Sequence, residues 1–227
     1  MLAFHKVLIG RFEAMTRVKI CGLRCAVLAE QACEAGADAI GLVFYPHSSR
    51  AVSASQALDV IKGTQALVTS VGLFVDPQAD EVERILEICP LDCLQFHGTE
   101  SAAFCEQFGR PYIKAISMRP EIDIDALLQE HQGARALLFD AWRPDAPGGT
   151  GDTFAWERIP VLSRPWILAG GLTPDNVGTA IEQVAPQAVD VSGGVENASG
   201  EKDPRRMRQF IDAVREADRR KHEDAAV

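Results

Sequence analysis

At 227 residues, 47% hydrophobic and 24% charged, the chain suits one large domain or two small ones; a single domain of this length buries roughly 70% of its unfolded surface. A net charge of −9, with no Lys/Arg run before the C-terminal segment, excludes a general nucleic-acid binder. The opening "MLAFHKVLIGRFEAM", broken by His5, Lys6, Arg11 and Glu13, is neither a signal-sequence core nor a membrane span, so a cytoplasmic protein with no membrane partner is expected.

Residues 1–14 read as an extension outside the fold, because Met15 immediately precedes the first strand pattern. From Arg17 onward a short apolar run, a few loop residues and a helical pattern repeat. The predicted strands are 17–21, 38–44, 67–75, 93–97, 112–117, 136–140, 165–169 and 188–192. Between them, helices are predicted at 25–36, 53–63, 80–89, 101–109, 124–133 and 173–184, with a last one at 203–220. Gly36, Gly63, Gly109 and Gly133 stand where helices should stop. The rhythm is weakest between 141 and 164, where only "TFAWERI" could form a short helix.

Eight strands alternating with helices, without a composition break, predict an α/β fold: a single-domain (β/α)8 TIM barrel over 15–220, with 221–227 a frayed tail. An open doubly wound sheet is the alternative, but "CGLRCA" after the first strand is not a G-x-G-x-x-G fingerprint. Six cysteines lie at 21, 25, 33, 89, 93 and 105, in apolar segments of a long chain. They read as reduced thiols, with Cys25, Cys33, Cys89 and Cys105 as packing residues. Cys89, Cys93, His97 and Cys105 look superficially like a zinc set. They sit on a helix end, a strand face and a second helix, which do not converge tetrahedrally, so no metal is expected.

In a barrel, the C-terminal ends of the strands face one mouth. Read in order, those ends carry Cys21, the stretch Tyr45–Arg50, Asp76, His97-Gly98, Ser117, Asp140, Gly170-Gly171 and Ser192-Gly193-Gly194. "LAGGLTPDNV" places two glycines between a strand and a helix expected to start near Thr173-Pro174, and "DVSGGVE" does the same after the eighth strand. Bare backbone N–H groups and a helix N-terminus suit an anion. One such loop would be a tight turn; two adjacent ones point to a phosphate site. "APGGTGDTFAW" (146–156) reads as a lid, since Asp152 stands where a Walker loop needs Lys. Cys21 and Asp140 are the candidate acid–base pair, on different sides of the barrel with room for a substrate between. A free thiol is only about 3% thiolate at pH 7, so a basic Cys21 needs help from its surroundings. Either residue alone is equally well a core thiol or a strand-end carboxylate.

The segments "VKICGL", "GLVFYPHSSRAVS", "VGLFVD", "LQFHGTES", "LLFDA…PGGTGDTFAW", "LAGGLTPDNV" and "VDVSGGVE…KDP" resemble, in this order and over about residues 17–212, the phosphoribosylanthranilate isomerase family. The resemblance implies an aldose–ketose isomerase of tryptophan biosynthesis. It would convert N-(5-phosphoribosyl)anthranilate to 1-(o-carboxyphenylamino)-1-deoxyribulose 5-phosphate by an Amadori rearrangement, without cofactor or metal. Asp140 would then protonate the ring oxygen and Cys21, as thiolate, would take the C2 proton. Arg50 would meet the anthranilate carboxylate; Gln95, His97 and Asp190 would line the substrate. Gly170, Gly171, Ser192, Gly193 and Gly194 would hold the phosphate. The chain departs from the family pattern at Arg24 (Thr), Phe96 (Leu), Gly193 (Ser), Asp152 (Lys) and Ala155 (Asp), leaving the proposed acid and base in place. Competing readings are another phosphosugar barrel, such as an indoleglycerol-phosphate synthase using Lys114 or a metal-dependent epimerase, and a non-catalytic phosphosugar-binding protein. Monomer and homodimer are equally open.

Overall fold

Eight parallel strands close on themselves in the computed structural model, which describes residues 15–141 and 155–224. They are β1 (Arg17–Cys21), β2 (Ala39–Val43), β3 (Thr69–Phe74), β4 (Cys93–Phe96), β5 (Tyr112–Ser117), β6 (Ala136–Asp140), β7 (Trp166–Leu168) and β8 (Ala188–Val191). Each strand pairs with its sequence neighbour, and β8 returns to β1 through Arg17↔Ala188 to Ile20↔Val191. The barrel expected from the strand count is therefore the fold, and the open sheet is not. The extension 1–14, the lid residues 146–154 and the last tail residues 225–227 lie outside the described residues.

Side chains alternate across a strand, and here both faces are buried, which is why the strands read as apolar runs. Val71, Cys93, Ile113, Ala115, Ala136, Leu138, Ile167 and Ala169 fill the barrel interior. Their strand neighbours, including Ile20, Ile40, Leu94, Phe96, Leu137, Phe139 and Val189, pack outward under the helices. This parity decides where the polar residues point. On β6, Asp140 follows Ala136 and Leu138 onto the inner face. On β4, Gln95 and then His97 follow Cys93 inward. Lys114 has the parity of Tyr112 and Ile116, so it belongs to the outer layer.

The helices are α1 (Ala26–Ala35), α2 (Ala54–Lys62), α3 (Ala79–Ile88), α4 (Ala102–Glu106), α5 (Ile124–Glu130), α6 (Val177–Val184) and α7 (Pro204–Asp224). Ser53 and Gln56 close a capping box on α2, while Ser101 and Asp123 cap α4 and α5. Gly36 ends α1 in the left-handed region at φ 103°, as expected of a helix-stop glycine. Gly109 and Gly133 do not cap: α4 and α5 stop earlier, at Glu106 and Glu130. Among its described residues, the weak segment contributes one 3-10 turn, Trp156–Arg158. Helix α7 continues past the expected end to Asp224 and packs on α1 and α6. It fastens the entry into β1, because Asp218 accepts from the Thr16 amide at 2.8 Å and the Thr16 hydroxyl at 2.7 Å. None of the helices among the described residues is long and apolar enough to cross a membrane.

Candidate active site

At the C-terminal mouth, the neighbouring strands β6, β7, β8 and β1 carry Asp140, Gly170-Gly171, Ser192-Gly193-Gly194 and Cys21. The two glycine turns thus occupy the arc between the carboxyl and the thiol. Their backbones touch closely: a Cβ on Gly194 would lie 1.8 Å from the Leu172 carbonyl oxygen, and one on Gly170 2.2 Å from the Ala141 amide nitrogen. Gly170 and Gly171 also take φ values of 83° and 66°, which only glycine adopts without strain. Side chains at Gly170 and Gly194 would force the neighbouring backbones apart.

The helix expected to begin at Thr173 starts at Val177 instead. Asn176 explains the delay, since its Oδ1 accepts from the Thr173 amide at 2.8 Å and its Nδ2 donates to the Gly171 carbonyl at 2.9 Å. An Asn side chain that bonds its own turn competes with the helical ladder. After β8, a 3-10 turn (Gly193–Val195) follows at once in place of a longer helix.

Cys21 is only 4% exposed. Its inward neighbour on β1, Lys19, is buried and paired with Asp190 of β8 at 2.9 Å. Burial pushes the Cys21 thiol up, opposed by the Lys19 ammonium, with Asp190 adding to the rise and Lys202 reducing it. Burial would equally discharge Lys19, but Asp190 and Cys21 outweigh it and hold the ammonium well above its ordinary range. Gly41 faces Cys21 across the β1–β2 ladder, and a Cβ there would lie 2.6 Å from Sγ. The missing side chain is what gives the thiol its room.

Asp140 sits in a different setting. His97 Nε2 lies 3.0 Å from its Oδ2, and Gln95 Nε2 lies 3.1 Å from His97 Nδ1. With the Gln95 amide donating to Nδ1, the imidazole proton is on Nε2 and points at the carboxyl. Among the described residues, Gln95 Oε1 has no partner and is buried. Gln95 and His97 are therefore gathered with Asp140, whereas Asp190 belongs to the Cys21 side.

Arg50 is engaged by a residue that the sequence reading missed. Its Nε and Nη2 donate to Glu196 Oε1 and Oε2 at 2.6 and 2.7 Å. Lys202, also unforeseen, donates to Glu196 and to the carbonyl and hydroxyl oxygens of Ser192, and the Ser192 hydroxyl donates to the Cys21 carbonyl at 3.1 Å. Against the pull of burial, Arg50 and Lys202 hold Glu196 below the usual carboxylate range. Burial lowers Lys202 despite Glu196. The spacing of Glu196 from Lys202, the first residue of "KDP", was the available signal for this pair.

Lys114 donates to Glu100 at 2.8 Å and to the Gly98 carbonyl at 2.6 Å, so it is locked outside the barrel interior. That removes the lysine a synthase reading would need. Cys33, Cys89 and Cys105 are buried, as packing residues should be. Cys25 is not: it is exposed as the N-cap of α1, in extended backbone ahead of the helix. No group of three or more potential metal ligands occurs among the described residues.

The profile of a family described as "N-(5'phosphoribosyl)anthranilate (PRA) isomerase" matches residues 18–213. A relative named N-(5'-phosphoribosyl)anthranilate isomerase from Cellvibrio japonicus is 52% identical over 201 residues, covering 88% of this chain and 94% of its own. The phosphoribosyl anthranilate isomerase structure from Thermotoga maritima aligns at a TM-score of 0.79 with 34% identity, covering 89% of this chain and all of its own. A further structure, of the same-named enzyme in complex with reduced 1-(o-carboxyphenylamino)-1-deoxyribulose 5-phosphate, aligns at 0.76 with 33% identity, covering 89% of this chain and 100% of its own.

Proposed function

The chain belongs to the phosphoribosylanthranilate isomerase family and is the isomerase of tryptophan biosynthesis; we propose that it works through Asp140 as acid and Cys21 as base. The substrate, N-(5-phosphoribosyl)anthranilate, lies across the mouth with its phosphate on the glycine turns of β7 and β8. Asp140 Oδ1 gives a proton to the furanose oxygen, the C1–O bond breaks, and the nitrogen lone pair forms a C1 iminium. Meanwhile His97 holds Oδ2, fixing the carboxyl's orientation. The Cys21 thiolate then removes the C2 proton. The C–H electrons flow into the iminium, giving an enolamine that tautomerises to the ketone. The iminium is itself the electron sink.

Burial alone would leave Cys21 a poor base, and the Lys19 ammonium counters it. The Lys19–Asp190 pair is therefore part of the machinery and not only a core ion pair. Arg50 takes the anthranilate carboxylate, as a planar fork meeting a planar anion. The cytoplasm is the place of action in this reading.

The observation that carries the reading is the order around the mouth: acid, two glycine turns in backbone contact, base. The test follows the loss of phosphoribosylanthranilate fluorescence. Wild type should turn it over, unaffected by a chelator, and Cys21→Ala and Asp140→Asn should not do so at comparable rates. Wild type binding a product analogue without turnover would instead favour a non-catalytic phosphosugar binder.

A further inference from the structure

Glu196 contacts both Arg50 and Lys202, and its place suggests more than a surface ion pair. Only 9% of its side chain is exposed, against 19% for Arg50 and 2% for Lys202. One carboxylate thus faces two cations, leaving a positive excess beside the phosphate turn. Glu196 meets Arg50 side-on, through Nε and Nη2. A guanidinium has a second edge, between its two Nη atoms, which can take another carboxylate end-on. Among the described residues, Nη1 makes no hydrogen bond of the kind that occupies the first edge. The stem of Arg50 is placed by Gly22, directly after Cys21: a Cβ there would lie 2.7 Å from Arg50 Cδ. The guanidinium is therefore held near the base by two independent features.

We propose that Glu196 is a positioning residue for recognition of the aryl carboxylate: it clamps one edge of Arg50 so that the other is presented to the substrate. Through Lys202 and Ser192 it ties this clamp to the phosphate turn and to the Cys21 carbonyl. The two anionic ends of the substrate are then read by one connected network. This inference rests on the isomerase reading above. It assigns to Glu196 a task in selecting substrates that bear a carboxylate, distinct from holding the β8 turn in place.

Calorimetry separates these roles with two ligands: reduced 1-(o-carboxyphenylamino)-1-deoxyribulose 5-phosphate and the same molecule without its carboxyl group. Glu196→Gln should weaken the first about tenfold and the second by no more than about twofold, the size expected for a charge-assisted hydrogen bond. Glu196→Asp, which keeps the charge but retracts it by one methylene, should show the same selectivity and guards against a folding failure in the first variant. In an Arg50→Gln background, Glu196→Gln should add nothing to the loss for the carboxylated ligand. Equal weakening of both ligands, or no weakening of either, overturns the proposal while leaving the isomerase reading intact. Failure of the wild-type protein to bind either ligand would instead remove that reading, and this inference with it.

Discussion

The two sides of the barrel mouth solve opposite problems. Around Cys21, charges are dense: Lys19, Asp190, Lys202, Glu196 and Arg50 sit within one connected cluster. Around Asp140, an imidazole and an amide form a short relay, His97 and Gln95. A buried thiol resists ionisation, so a base made from it needs cations nearby. A carboxyl acid needs orientation more than charge, and a hydrogen-bonded ring supplies that. The contrast is one of neighbours: ions crowd the thiol, while a ring and an amide orient the carboxyl.

The sharpest way to break this contrast is to remove its two ends. Cys21→Ala and Asp140→Asn should each lower kcat by on the order of 10²–10⁴, about 3–5 kcal/mol of barrier. Near-full activity in either variant takes that residue out of the chemistry. Next in size is the charge cluster. Replacing its buried pair as a unit, Lys19→Met with Asp190→Asn, avoids leaving one ion unpaired. Because Lys19 outweighs Asp190 in its effect on the thiol, the pH at which activity reaches half its plateau should move upward. A profile unmoved by the paired replacement would show that the cluster does not tune the base.

Between the two sides stand the glycine turns. Gly194→Ala must push the Leu172 carbonyl away, at a backbone cost of about 1–3 kcal/mol. It should raise KM and weaken inhibition by inorganic phosphate, with kcat less affected. An unchanged phosphate inhibition constant would move the anion site elsewhere. The smallest effect is on stability. Burial raises Cys93 to about 11, Cys105 to about 12 and Tyr112 to about 12. The unfolded chain loses these protons first as pH rises, so the folded state binds more protons and stability falls from about pH 9 upward. Melting temperatures measured between pH 8 and 11 should decline, and Cys105→Ala should flatten the decline.

The barrel was readable because each strand is buried on both faces and ends in a loop with turn residues. That Cys21 and Asp140 share the mouth was readable from their place at strand ends. Parity would also have excluded Lys114, which sits two residues from Tyr112 and shares its outward face. What stayed hidden was long-range pairing: Glu196 meets Arg50 from 146 positions away. No local pattern announces such a contact. Lys19 was closer to view, two residues before Cys21 and therefore on the same face. Its partner Asp190 is 171 positions away, so the pair emerges only when the barrel closes. The start of α6 was misplaced because Asn176 bonds back to its own turn, a competition that helix patterns do not register.

The division of labour between Cys21 and Asp140 can be tested with substrate deuterated at C2, by comparing the primary isotope effect on turnover in Cys21→Ser and Asp140→Asn. If the thiolate takes the C2 proton and the carboxyl opens the ring, the isotope effect should be fully expressed in Cys21→Ser, where proton removal limits, and suppressed in Asp140→Asn, where ring opening limits. The same isotope effect in both variants would contradict the assignment of the two residues to separate steps.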